Sequence, residues 1–488
     1  MKVLFATSEL APWVKTGGLG DVSAALPEAL HGGNIDVRIL VPAYPALKAA
    51  FHDAPMVGAI PRASGLLEGA AIRLTRMPSG VPLYLLECDC YFDRPGNPYL
   101  GPEGQEWLDN GARFGLLSRV AALLASADSP LDWHPDILHC NDWQTGLAPT
   151  FLNYWRQGGS GPTARSVFTV HNLAFQGIFD RNLLLPLTLP EHAGDIHGVE
   201  YHGMLSFLKA GLRHADAITT VSPTYAREIQ TPSEGMGLDG LLRFRADALT
   251  GIVNGIDTAQ WDPSTDRYLA SHYTSRSLPR KLANKSALRL EFGLDDNFNG
   301  PLLGIVSRLS YQKGLDLLPP IAADLAALPV QLVVLGTGER GLEAAFRGLA
   351  TKYPGQFAAH IGFVESHAHR IEAGADLFLM PSRFEPCGLN QLFSLRYGTL
   401  PIVRATGGLA DTVTDASDSV RGNGFVFHDA TPEALLAAIR RAVTLWHDHK
   451  AFATLQRRAM NADYSWNRPA AATAEIYRAL LPQPVTPA

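Results

Sequence analysis

Arg308 and Lys313 lie five residues apart in SRLSYQKG, directly after the apolar run LLGIVS (302–307). A guanidinium fork and an ammonium point charge at that spacing can grip a diphosphate and stabilise charge that builds on it. Glu385 stands in PSRFEPCG after a second apolar run, DLFLM (376–380), beside a Pro-Cys-Gly turn where a carboxylate has no core partner to justify it. Asp142 in NDWQ follows DILHC (136–140), and His171 with Asn172 follows SVFTV (166–170). Thr-Gly-Gly-Leu occurs twice, in KTGGLGDV (15–22) and ATGGLADTV (405–413), each time with an aspartate two residues on. A tight glycine turn that opens a helix brings backbone N–H groups close to an anion, and two such turns suggest two walls facing one ligand.

Each cluster also has a plainer reading. The glycines of KTGGLGD serve equally to make a strand-to-helix turn, since they lack both the G-x-G-x-x-G spacing and a Walker A Lys-Ser/Thr; Lys15 would then be a solvated turn residue. SRLSYQKG reads as a surface loop with Arg308 and Lys313 exposed. His171, taken alone, reads best as a hydrogen-bonded histidine at a sheet edge, and Asp142 and Trp143 as a helix cap and a core aromatic. Cys387 reads as a small packing residue, because nothing nearby in sequence offers it a base.

The elements that carry these groups alternate. Strand-like runs at 2–8, 36–42, 82–87, 136–140, 166–170 and 217–221 have helical patterns such as VSAALPEAL and GARFGLLSRVAALLASA between several of them. The second half repeats the scheme with runs at 302–307, 331–336, 376–380 and 400–403. That alternation predicts α/β folding with parallel sheets, in two domains. The polar clusters all follow strands, and ligands of open parallel sheets bind outside the carboxyl ends of the strands, so a deep interdomain cleft is expected. The boundaries read as 1–250, 251–460 and a C-terminal helix and tail, 461–488. The segment 251–280 is polar and turn-rich, as a linker or cleft wall would be. Periodicity does not decide which domain the last helix packs on; packing back on the N-terminal domain is one arrangement open to it.

A chain of 488 residues is too long for a single core, and 46% hydrophobic with 18% charged residues excludes a disordered chain. The net charge of -6 and the lack of a basic run speak against nucleic-acid or membrane partners. Four cysteines, with no C-x-x-C pair and no H-E-x-x-H, imply no metal and a reducing compartment. The first apolar run breaks at Ser8 and Glu9, too soon for a signal peptide, so a cytoplasmic protein is expected.

KTGGL, DRPGNPY (93–99), HCNDWQTG, TVHN, NGID, SRLSYQKG, PSRFEPCGLNQL and ATGGLADTV, in this order over essentially the whole chain, resemble the bacterial and plastidial glycogen (starch) synthases. The resemblance implies two Rossmann-like domains of the GT-B architecture, the first on the acceptor side and the second holding a nucleotide sugar. It implies transfer of glucose from ADP-glucose to the non-reducing 4-hydroxyl of an α-1,4-glucan with retention at the anomeric carbon, without a cofactor. UDP-glucose remains the alternative donor. In this reading Lys15, Gly17 and Gly18 approach the sugar nucleotide from the N-terminal domain. Arg308 and Lys313 stabilise the departing diphosphate, and Thr406, Gly407 and Gly408 form the phosphate-facing turn. Glu385 hydrogen-bonds the donor glucose, and Cys387 and Gly388 in the turn beside it bind substrate as well. His171 and Asp142 lie near the reacting carbon, and Asn254 is a further cleft residue.

Two positions depart from the wider pattern. Many retaining enzymes of this architecture carry a second glutamate eight residues after the first, where this chain has Phe393; glycogen synthases resemble it in that. The family often has tyrosine just before D-R-P-G, where this chain has Phe92 preceded by Tyr91. Two rivals share the α/β alternation. A dinucleotide-dependent oxidoreductase requires a glycine spacing that the first turn lacks, and a two-lobed sugar-binding protein has no need of paired cations with two phosphate-type turns.

Overall fold

The most apolar runs form the sheet centres. In the computed structural model, which describes residues 1–62, 68–159, 161 and 163–482, the chain divides into two units: Met1–Asn254 joined by the segment from Trp466, and Gly255–Ser465.

In the first unit Lys2–Ala6 is the central strand, with Val3, Leu4, Phe5 and Ala6 fully buried, as a parallel strand between two helical layers must be. On one side it pairs with Asp36–Pro42 and then Pro82–Glu87; on the other follow Ile137–Asn141, Arg165–Val170, Ala217–Thr220 and Leu249–Gly251, all parallel. Two antiparallel strands absent from the sequence expectation, Ala70–Arg76 and Met56–Ile60, complete the nine-stranded sheet. Strand order reverses between Lys2–Ala6 and Ile137–Asn141, so the crevice for a ligand opens at their carboxyl ends, beside Thr7–Glu9 and Asp142.

The second unit has six parallel strands in the order Phe357–Ile361, Gln331–Gly336, Leu302–Val306, Leu377–Met380, Leu400–Arg404 and Phe425–Phe427. Its reversal falls between Leu302–Val306 and Leu377–Met380, the strands that feed SRLSYQKG and PSRFEPCG. The topology thus singles out the two loops that the charge pattern singled out.

The C-terminal helix Asn467–Leu480 packs in the first unit. Ala470, Thr473, Ala474 and Tyr477 are buried at helical spacing, and the Tyr477 hydroxyl meets His139 Nδ1 at 2.6 Å inside the core. The unit boundaries fall a few residues later than 250/251 and 460/461. Leu249–Gly251 still pairs in the first sheet, while Met460 is buried in the second unit and Tyr464 O accepts the Ile256 N–H at 2.8 Å.

The segment 255–280 is not a loose linker. The buried Asp266 carboxylate accepts from Tyr397 Oη (2.6 Å) and lies 2.7 Å from His369 Nδ1, and Trp261 stacks between His369 and Phe393 at 3.8 Å from each. Polar composition there reflects a hydrogen-bonded wall of the second unit.

Candidate active site

In the first unit the helix Gly18–Gly32 begins at the KTGG turn, and Lys15, Thr16, Gly17 and Gly18 are all exposed. Lys15 Nζ donates to Asp21 Oδ1 at 2.8 Å, so the aspartate two residues after Thr-Gly-Gly-Leu fixes the lysine. The turn is held from below by Glu9, a residue absent from the sequence-based candidates. Its buried carboxylate accepts the Thr16 N–H (2.8 Å), the Thr16 hydroxyl (2.5 Å), the Gly17 N–H (3.4 Å) and the Tyr99 hydroxyl (2.6 Å). The Gly17 N–H expected to face an anion is thus turned toward a carboxylate of the protein itself. Glu9 does follow an apolar strand directly, the same signal that picked out Glu385.

Asp142 sits at the carboxyl end of Ile137–Asn141 with φ +54° and ψ −176°, a conformation that costs a non-glycine residue on the order of 1–3 kcal/mol. Its Oδ1 accepts the His171 N–H at 2.7 Å. Burial pushes the carboxyl up to about 7, against the opposing N–H donation from His171 and Asn172. The plain reading of Asp142 as a helix cap fails, since its side chain caps nothing and instead ties one strand end to the next.

Burial lowers the His171 imidazole to about 3, so the ring is neutral. Asn141 Nδ2 donates to Ala6 O at 3.0 Å, which leaves Oδ1 to accept from His171 Nε2 at 2.9 Å. The ring proton is therefore on Nε2 and the lone pair on Nδ1, ready to accept from a hydroxyl. Asn141, like Glu9, was missed by sequence reasoning. Asn254, the last residue of the first unit, is partly exposed.

In the second unit Lys313 and Glu385, 72 residues apart in the chain, form a two-point ion pair: Nζ to Oε1 is 2.9 Å and to Oε2 2.7 Å. Ser382 Oγ also donates to Oε2 at 2.9 Å. Arg308 is exposed, and Nη2 reaches Gln312 Oε1 at 3.4 Å.

The second Thr-Gly-Gly-Leu begins the helix Gly407–Thr412, packed against the EPCG turn. A Cβ on Gly407 (φ +44°) would lie 1.9 Å from Glu385 O, and one on Gly408 2.1 Å from Cys387 O, so these glycines are required by close approach of two backbones. The Gly408 N–H donates to Glu385 O and Pro386 O, both at 3.1 Å, and is thereby held inside the protein instead of facing a phosphate. Thr406 is buried just before this turn. Cys387 is buried and Gly388, at φ +72°, carries the turn. Phe393 packs against Trp261 with Ile256 and Leu392. Phe92 is likewise core, and the Tyr99 hydroxyl reaches Glu9 at 2.6 Å.

Two doubly wound units, each with its charged and glycine-rich loops at the carboxyl ends of the strands around the reversal, define a glycosyltransferase of the GT-B class. A family model for the starch synthase catalytic domain matches residues 2–244, and one for glycosyl transferases group 1 matches residues 291–459. The glycogen synthase of Dechloromonas aromatica (strain RCB) is 55% identical over 98% of both chains, and that of Nitrosomonas europaea 50% identical over 98% of both. Among solved structures, the catalytic domain of starch synthase IV from Arabidopsis thaliana, bound to ADP and acarbose, matches with a TM-score of 0.85 at 32% identity over 98% of each chain. A sucrose-phosphate synthase from Thermosynechococcus elongatus shares the fold at a TM-score of 0.60 and 17% identity. The chain belongs to the glycogen synthase family, glucosyltransferases that work on a nucleotide-sugar donor and a glucan acceptor. Among the described residues no group of three metal-binding side chains could hold a metal ion, and no helix is long and apolar enough to cross a membrane.

Proposed function

We propose that the chain transfers glucose from ADP-glucose to the non-reducing 4-hydroxyl of an α-1,4-glucan, with retention at the anomeric carbon, in the cytoplasm. The ADP bound by the similar starch synthase IV domain supports the choice of base, and four free thiols suit a reducing compartment.

The observation that carries the chemistry is the Lys313–Glu385 pair beside exposed Arg308. An ammonium has three N–H donors, and Glu385 takes two, so one remains for a diphosphate oxygen. Glu385, held by Lys313 and Ser382, is oriented to accept from glucose hydroxyls. As the glycosidic bond to phosphate breaks, charge grows on the diphosphate, and Arg308 with Lys313 stabilises that growth more than it stabilises the bound donor. The neutral His171 with a bare Nδ1 accepts a sugar hydroxyl, and Asp142 fixes the His171 backbone that aims it. One carboxylate on the sugar side favours front-face displacement, in which the leaving phosphate takes the proton of the acceptor.

The test is incorporation of labelled glucose into glycogen from ADP-glucose and, in parallel, UDP-glucose, with Lys313→Ala and Glu385→Ala as controls. Incorporation from ADP-glucose that each variant lowers by about a hundredfold supports the reading. Preference for UDP-glucose overturns the donor, and near-normal rates in Lys313→Ala overturn its role.

A further inference from the structure

Lys313 stands on a short loop of 3-10 turns, Tyr311–Lys313 and Leu315–Leu317, which makes no ladder with the sheet. Something else must hold its ammonium steady. The chain passes against the 381–385 loop at Gly314 (φ +65°), where a Cβ would lie 2.0 Å from Pro381 O. That contact fixes a point but not a direction.

Direction comes from Arg383, a residue given no role so far. Its backbone N–H donates to Gln312 O at 2.9 Å. Its Nη1 donates to Tyr311 O (2.9 Å) and Asp316 Oδ1 (2.6 Å), its Nη2 to Asp316 Oδ2 (2.8 Å), and its guanidinium lies 3.7 Å from the centre of the Tyr311 ring. The side chain thus grips the loop on both sides of Lys313, at 311 and at 316, from a position two residues before Glu385. Its other side is anchored in turn: Arg404 Nε donates to Ser382 O at 2.8 Å, and Arg404 Nη2 donates to Arg383 O.

We infer that Arg383 is a positioning residue for the transfer, a clamp that works with Asp316 to set the Lys313 ammonium against Glu385 and the departing diphosphate. The planar fork matters, because two parallel N–H donors to one carboxylate fix an angle that a lysine ammonium cannot. This rests on the role proposed above for Lys313. A displacement of about 1 Å at that ammonium would cost on the order of a hundredfold in turnover.

The experiment is a double-mutant cycle on kcat and donor KM with full-length protein: Arg383→Lys, Arg383→Ala and Asp316→Asn, each alone and on Lys313→Ala, with thermal midpoints recorded. The clamp predicts that each single variant loses roughly tenfold to a hundredfold in kcat while donor KM moves less than about threefold. On the Lys313→Ala background the same changes cost less than about twofold, since the group they aim is gone. A merely structural Arg383 multiplies the losses instead, and that result overturns the inference, as does a normal kcat in both Arg383→Lys and Asp316→Asn. Should Arg383→Ala fail to fold, these two milder variants decide the question. A near-normal Lys313→Ala overturns the reading of the site and the clamp with it, which distinguishes the two failures.

Discussion

Lys313 gives two of its three N–H groups to a carboxylate that is almost fully buried, so its removal has two separable effects. In Lys313→Ala, Glu385 keeps only the Ser382 hydroxyl, and a buried charge that loses its ion-pair partner costs about 3–5 kcal/mol. Adding Glu385→Gln removes that charge. Urea midpoints should therefore drop in the single variant and recover in the double, while turnover stays down by about a hundredfold in both. Turnover that recovers together with stability would reduce Lys313 to a structural counter-ion. His171 offers a second case: Asn141→Ala frees Nε2 and lets the ring turn, and kcat is expected to fall about tenfold or more, while the buried Ala6 carbonyl left unpaired costs about 1–3 kcal/mol of stability. A rate unchanged from the parent would remove Asn141 from the site. Arg308, Lys313, Glu385, Asp142 and His171 stand out in the sequence as candidates because each is a charged or titratable side chain in a small, polar loop directly after an apolar run. Glu9 carries the same local signal, but its task was hidden, because Tyr99, one of the groups it holds, lies 90 residues away. Asn141 is neutral and its partner, the carbonyl of Ala6, lies 135 residues away, so no local pattern marks it.

At the scale of elements, the strands read correctly are those buried on both faces, whose sequences are continuous apolar runs; Leu302–Val306 and Gln331–Gly336 are buried throughout. Met56–Ile60, with three of five residues exposed, is the edge strand, and Ala70–Arg76, with one fully buried, lies next to it; neither carries such a run. The strands Phe357–Ile361 and Phe425–Phe427, at the edges of the second sheet, were missed for the same reason. The glycine turns were legible as turns, but their meaning was incomplete. Two backbones touch at Gly408, so Gly408→Ala must push the EPCG turn aside by more than 1 Å, carrying Glu385 with it. Turnover should fall at least a hundredfold, against a much smaller effect for Gly17→Ala, where no atom lies within 4 Å of the added Cβ. Equal losses in the two would mean that both turns act through space taken by substrate.

At the scale of the molecule, neutral histidines buried in the first unit make its stability depend on acid. Burial lowers His139 and His171 to about 3 and His214 to about 4, the last aided by Arg213 and Arg245 nearby. Their folded values lie below the ordinary 6.5, so between those limits the unfolded chain binds protons that the folded chain refuses. The stability they contribute is complete above pH 6.5 and is lost as pH falls, down to about 4 for His214 and about 3 for His139 and His171. Asp142 works in the opposite direction. Its folded value of about 7 exceeds the ordinary 3.8, so its contribution is present at low pH and is lost as pH rises through 7. Three groups against one leave unfolding near pH 5 with a net uptake of about two protons from this set. Each proton is worth up to about 1.4 kcal/mol per pH unit. His139 also joins Tyr477 on the last helix to Thr169 on the sheet, so acid strikes the core contact that holds the C-terminal segment to this unit. His214 is the member to test, because it touches neither the candidate site nor that helix; its Nδ1 meets Thr150 Oγ1 at 2.9 Å. His214→Gln keeps a polar group there and cannot titrate. Urea unfolding from pH 7 to 4.5 should show the slope of stability against pH reduced by about one proton relative to the parent, with activity at pH 7.5 unchanged. Other titrating groups are common to both proteins and cancel in the difference, so an unaltered slope would mean that His214 already carries its charge in the folded chain.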